Sequence, residues 1–125
     1  MIFYQGWSDG DTYPGAVMDY FREMVKTTFG GDDAAASGQT RLFMAPGVGH
    51  CSGVPRPNEW AENGKAPDHE VAIHRGDSLT PPADAKVDNE RKPCPYRRQA
   101  VYTGPAGGQN DRRNWVASNV ACKTK

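Results

Sequence analysis

The sequence has no apolar run approaching the roughly 20 residues that cross a bilayer as a helix, which excludes a helical membrane span. It also has no excess of either charge, since 15 basic side chains are balanced by 15 acidic ones, and without a net field nothing drives it toward nucleic acid or an anionic membrane. Basic pairs do occur at Arg91-Lys92, Arg97-Arg98 and Arg112-Arg113. They are separated, interleaved with acids and short of the aromatic platform that single strands need, so they read as solvated faces. Apolar residues are scarce: 37% of the chain is hydrophobic, with 14 glycines and 10 prolines and a mean hydropathy of −0.76. That composition suits a loop-rich layer more than a self-sufficient core. A length of 125 residues allows one domain with a modest core and poor autonomous stability. The opening Met1-Ile2-Phe3-Tyr4 lacks the basic start and long apolar stretch of a signal peptide, so the chain itself names no compartment. Three cysteines are an odd number, which in an oxidising compartment leaves one unpaired or bonded outside the chain.

What is present begins with a short apolar run, Met1 to Tyr4, that predicts a buried strand closed by Gln5-Gly6. Thr12-Tyr13-Pro14 predicts a helix start, with proline in the first turn where its missing N–H costs nothing. Met18, Phe21, Val25 and Phe29 then form one apolar stripe, and Gly30-Gly31 stops the helix. Asp32 to Gln39 is small and polar and predicts a loop, whereas Arg41 to Ala45 predicts a second strand, parallel to the first by crossover logic. Val54 to Ala61 has room for a turn or two of helix. Val71 to His74 predicts a short edge strand, Gly76 to Lys92 an extended surface loop, and Asp111 to Val120 a short helix carrying Trp115. The division expected is a core portion over 1–75 and a loop-rich tail over 76–125.

Asp9 and His50 each fall on the loop after a predicted strand, His50 being presented by the break Pro46-Gly47-Val48-Gly49. In an open α/β sheet that is where catalytic side chains sit. An acid followed by a histidine is also the order of the last two members of an α/β-hydrolase triad, whose serine comes first. Asp11 is the rival acid, and its bland reading is a residue favoured by the helix dipole. Ser52 is a poor nucleophile: it lies two residues from His50, and Gly-His-Cys-Ser-Gly is not the Gly-x-Ser-x-Gly elbow. Cys51 with His74 as a thiol and base pair needs a coincidence of folding. His50, Cys51, His69, His74 and Cys94 are ligand types, but their spacing fits no zinc pattern, so no metal is expected. Trp7, Tyr13 and Trp60 are candidates to flank an aromatic acyl group, and equally candidates for packing.

Three stretches carry a family resemblance: Phe3-Tyr4-Gln5-Gly6-Trp7-Ser8-Asp9, Arg41 to Gly53 with its Pro-Gly-x-Gly-His-Cys-Ser-Gly, and Glu62-Asn63-Gly64-Lys65-Ala66-Pro67-Asp68. Together with the tail Lys92-Pro93-Cys94-Pro95-Tyr96 and the late Cys122, they resemble the C-terminal portion of the tannase and feruloyl esterase family, over nearly the whole chain. The resemblance implies an α/β fold: the C-terminal strand-helix-strand portion of an α/β-hydrolase, with a disulfide-clipped, loop-rich tail. It assigns Asp9, through the Gly-x-x-Asp position, as triad acid and His50 as general base, with the serine and its Gly-x-Cys-Ser-x-Gly-Gly context upstream of Met1. In the family the cysteine beside the histidine bonds one beside that serine. Cys51 is therefore the expected orphan, free or linked between molecules, and Cys94 and Cys122 are expected to form an intrachain disulfide.

The function this implies is the acid and base part of a serine carboxylesterase acting on small aromatic esters of the gallate or feruloyl type, secreted or periplasmic, its partner being the missing N-terminal portion. No organic cofactor is implied, and a calcium site of the family would fall in a lid outside these residues. The segment after Cys51 is shorter than in relatives, lacking a helix there. The competing expectation is a free-standing, non-enzymatic secreted binding module whose esterase-like loops are vestigial.

Overall fold

A computed structural model describes residues 1–50, 58–74, 84, 86–87 and 89–124. Cys51 and Ser52, and with them the expected orphan thiol, lie outside the described residues.

The first strand, β1 (Ile2–Gly6), pairs in parallel with β2 (Arg41–Ala45), Phe3 standing beside Leu42 and Gly6 beside Ala45. Between them run α1 (Pro14–Phe29) and α2 (Asp33–Ser37). Pro14 occupies the first turn of α1, and Gly30 closes it in the left-handed region at φ 61°, a conformation that costs glycine nothing. The helix buries the predicted stripe. Phe21, Val25, Ala36 and Leu42 form a core, with Phe3, Met18, Phe29 and Met44 packed against it. Each large side chain buried there contributes about 1.5–3 kcal/mol. Period-two alternation sends Tyr4 and Ala45 to the other face of the sheet, where they meet Val48 and Ala72.

Four sequence expectations are corrected. Residues 32–39 hold helix α2 and not only loop, because the Asp32 side chain accepts the N–H groups of Ala34 and Ala35 and so caps it. The edge strand β3 (Ala72–His74) finds an antiparallel partner, β4 (Asn89–Arg91), inside the stretch read as surface loop. The tail is ordered by a second antiparallel pair, β5 (Arg98–Tyr102) with β6 (Val120–Thr124). Over 111–120 there are single 3-10 turns, Arg112–Asn114 and Ala117–Asn119, in place of an α-helix. Trp115 is held there by Tyr102, ring centroids 5.4 Å apart, and donates its indole N–H to the Gln109 carbonyl. A further helix, α3, covers Asn58–Asn63. Among the described residues, no helix is long and apolar enough to cross a membrane.

The tail is tied to the sheet. Tyr96 donates its N–H to the Leu42 carbonyl at 2.7 Å, Pro95 bridges to Phe43, and the Tyr96 ring meets Phe21 edge-on at 5.8 Å. Cys94 and Cys122 form a disulfide across 28 residues. Closing a loop of that size stabilises by about 3 to 4 kcal/mol on the chain-entropy account, a large fraction of the stability of a small domain. Cys94→Ala with Cys122→Ala is therefore expected to lower the denaturation midpoint by that equivalent. A midpoint unchanged by the double substitution, or free thiols at both positions in oxidised protein, refutes the expectation.

Candidate active site

The site lies at the C-terminal ends of β1 and β2, where two loops are stitched together before any side chain is involved. Trp7 N–H donates to the Ala45 carbonyl at 2.9 Å and Ser8 N–H to the Val48 carbonyl at 3.0 Å. So close an approach requires glycine at position 6. A Cβ there would overlap the Val48 carbonyl oxygen and sit 2.8 Å from that of Gly49.

On this base the first loop curls around Asp9. Its Oδ1 accepts the N–H of Asp11 at 2.9 Å and of Thr12 at 3.0 Å, a turn typical of aspartate. Its Oδ2 accepts Gln5 Nε2 at 2.7 Å and lies 3.0 Å from His50 Nδ1. The Asp9 side chain is 5% exposed and that of His50 is 45% exposed. Gln5, buried at the end of β1, also reaches the carbonyls of Gly6 and Thr12. A carboxylate so surrounded by donors is held ionised. The Thr12 N–H foremost, then His50, Asp11 and Gln5, keep Asp9 well below the usual carboxylate range despite desolvation. In return the hydrogen bond and charge of Asp9 raise the pKa of His50, with Asp11 adding a smaller effect. With Nδ1 committed to Asp9, Nε2 is the ring nitrogen left to exchange a proton with a partner group.

Asp9 and His50, predicted as a pair from the sequence, are thus brought together. Asp11 contributes its backbone N–H to the turn, while its carboxylate makes no hydrogen bond among the described residues. It also lies outside the first turn of α1, so the helix-dipole reading does not apply. Asp9, Asp11 and His50 are the one described group whose ligand atoms lie within 4.8 Å of one another. Hydrogen bonding accounts for the Asp9–His50 part of that proximity, and both Asp9 oxygens are already engaged by N–H donors. Trp7 and Tyr13 are exposed beside the first loop. Trp60, by contrast, lies 5.9 Å beneath the guanidinium of Arg41, at the far end of β2, and packs there.

Two residues were not singled out as functional from the sequence. Gln5 reads only as the end of a strand, and its one signal is a polar side chain closing an apolar run. Glu70 stands in the polar run Asp68-His69-Glu70, yet it is buried, and desolvation pushes its carboxyl up to about 7. Burial, and then the Glu70 charge, push the Tyr4 phenol up to about 12.

An acid and a histidine are hydrogen-bonded at the ends of adjacent parallel strands, in the chain order expected for the last two members of an α/β-hydrolase triad. Solved structures agree on the fold: an esterase from Aspergillus oryzae superposes with a TM-score of 0.71 at 20% identity, over 97% of this chain and 26% of that one. Feruloyl esterase B from Aspergillus oryzae gives 0.65 at 21% identity, over the same shares. The profile of the family described as Tannase and feruloyl esterase matches residues 1–115, and the chain belongs to that family. Among curated relatives, mono(2-hydroxyethyl) terephthalate hydrolase of Piscinibacter sakaiensis is 32% identical over 94% of this chain and 19% of its own length. Probable feruloyl esterase B of Aspergillus niger is 31% identical over 61% of this chain and 18% of its own. The chain thus spans about a fifth of the length of these relatives.

Proposed function

We propose that this chain supplies the acid and base of a serine carboxylesterase, with Asp9 as triad acid and His50 as general base. The supporting observation is the 3.0 Å contact of Asp9 Oδ2 with His50 Nδ1, made by a carboxylate that three further donors hold in place. Such a carboxylate fixes the tautomer with its proton on Nδ1 and stabilises the imidazolium once formed. Nε2 then takes the proton of a serine hydroxyl as that oxygen attacks the ester carbonyl, and returns it to the departing alkoxide. Water repeats the cycle on the acyl-enzyme. Serine and oxyanion hole are assigned to sequence outside these residues, since no serine here stands in a nucleophile elbow. The substrate class proposed is small esters of phenolic acids, in keeping with membership of the family. The disulfide suits an oxidising compartment, and export from the cytoplasm is part of the proposal.

Pure chain is accordingly expected to leave methyl gallate, methyl ferulate and nitrophenyl acetate unhydrolysed above background. Joined to the N-terminal portion of a relative carrying the serine, it should hydrolyse at least one of them. Hydrolysis by the chain alone that a serine reagent abolishes refutes the assignment, and a joined enzyme indifferent to His50→Ala does the same.

A further inference from the structure

Asp9 and His50 both stand on loops, and a loop carboxylate keeps its aim only if something rigid holds it. The two oxygens of Asp9 are held unequally. Oδ1 accepts two backbone N–H groups, from Asp11 and Thr12, which fix that oxygen and leave the carboxyl group able to pivot about it. Oδ2 is the oxygen that faces His50 Nδ1. On it, Gln5 Nε2 at 2.7 Å is the one donor other than the base itself among the described residues.

Gln5 differs from Asp9 and His50 in standing on a strand. It sits opposite Met44 in the register of β1 with β2 and is 7% exposed. Its amide has one way to sit. Nε2 is faced by three oxygens, Asp9 Oδ2, the Gly6 carbonyl at 3.3 Å and the Thr12 carbonyl at 3.4 Å, so a turned-over amide would set Oε1 against all three, acceptor on acceptor. The neutrality of the group matters as well. An ammonium or guanidinium at this point would lower the pKa of His50 by its own charge, whereas an amide orients the oxygen and leaves the carboxylate charge for the imidazolium.

We propose that Gln5 is a positioning residue, which aims Oδ2 of Asp9 at Nδ1 of His50 and so selects the histidine tautomer whose Nε2 is bare. The assignment rests on the Asp9–His50 pairing of the proposed function. Without the donor, the carboxyl group turns about Oδ1, its bond to Nδ1 lengthens, and the ring divides between its two tautomers. The form protonated on Nε2 cannot take a proton from a serine. Two properties are needed together: an N–H to give, and a side chain long enough to carry it from the strand to Oδ2.

The test reads the imidazole nitrogens of the isotope-labelled chain by NMR. Neutral wild-type His50 should carry its proton on Nδ1. Gln5→Met keeps the length and loses the donor, while Gln5→Asn keeps the donor and falls one methylene short. Both should show mixed tautomers at His50 and a titration moved to lower pH. A space-filling role would survive in the first and a merely polar one in the second, so only a bond needing donor and length together is lost in both. In an enzyme completed with its serine-bearing portion, each should lower kcat by roughly tenfold to a hundredfold, up to the scale of a displacement near 1 Å, with KM held within about twofold. One readout needs no substitution: the Gln5 side-chain NH₂ resonances of the wild type should shift as His50 titrates. A wild-type His50 protonated on Nε2 would sink the Asp9–His50 pairing itself. With the wild type as expected, the role of Gln5 alone is overturned if either variant keeps the Nδ1–H form, if the variants change KM and not kcat, or if the Gln5 NH₂ is indifferent to the titration.

Discussion

Replacing Asp9 by asparagine, in an enzyme completed with its serine-bearing portion, should lower turnover by about four orders of magnitude, the scale known for this change in serine-protease triads. The surroundings explain why an amide cannot substitute. Oδ1 accepts two backbone N–H groups, so the asparagine oxygen must stay there, and its NH₂ then replaces Oδ2 opposite His50 Nδ1. Donating into Nδ1 forces the proton onto Nε2, the nitrogen that has to be bare to act as base. Gln5 Nε2 would also face a donor and have to turn its amide over. The pH profile gives a second readout. Asp9 raises the pKa of His50, and the base works only when neutral, so wild-type kcat/KM should rise with pH through a value above the ordinary ~6.5 of histidine. Without the carboxylate that limb should move to lower pH. Asp11→Asn should do far less, because the contribution of Asp11 to the turn is its backbone N–H, which survives. If Asp11→Asn is the more damaging change, Asp9 is not the triad acid.

Gly6→Ala is the second large effect expected, from a residue that performs no chemistry. One methyl group placed against the carbonyls of Val48 and Gly49 has nowhere to go, since both obstacles are backbone. The loops must part, straining the bonds from Trp7 to Ala45 and from Ser8 to Val48. Overpacking of this kind costs about 1–3 kcal/mol, and a displacement near 1 Å between catalytic groups costs on the order of a hundredfold in rate. Calorimetry and kcat/KM on the completed enzyme should therefore fall together. Full activity with an unchanged midpoint would falsify the close-approach argument.

How legible these features were in the sequence depended on the range of the interaction. Strand β2, the limits of α1 and the Met18 to Phe29 stripe were readable because local periodicity, a proline and a glycine pair specify them. Helix α2 was missed because its signal is a cap at Asp32 before three alanines, easily lost in a run of small residues. Strands β4, β5 and β6 were missed because each is specified by its partner: Arg98–Tyr102 has exposed or half-buried side chains and becomes a strand by pairing with Val120–Thr124. At the site, family motifs and strand-end logic pointed to Asp9 and His50, but neither could reveal Gln5, whose contribution exists only once the chain has turned back upon it.

The backbone bonds joining the loops after β1 and β2 have a consequence for how a complete centre would be assembled. A triad drawn from three independent segments must be brought into order twice, acid to base and base to nucleophile, and each step costs orientational freedom. Here the first ordering is done within one parallel strand pair, by the backbone bonds between the loops that follow it. Acid and base then travel as one body. Docking against the serine becomes a single rigid placement, in which an error shifts the histidine relative to its target but leaves its tautomer intact. Mutations far from this strand pair should therefore impair the proposed enzyme by misplacing a correctly prepared base, and those within it by delivering an unprepared one.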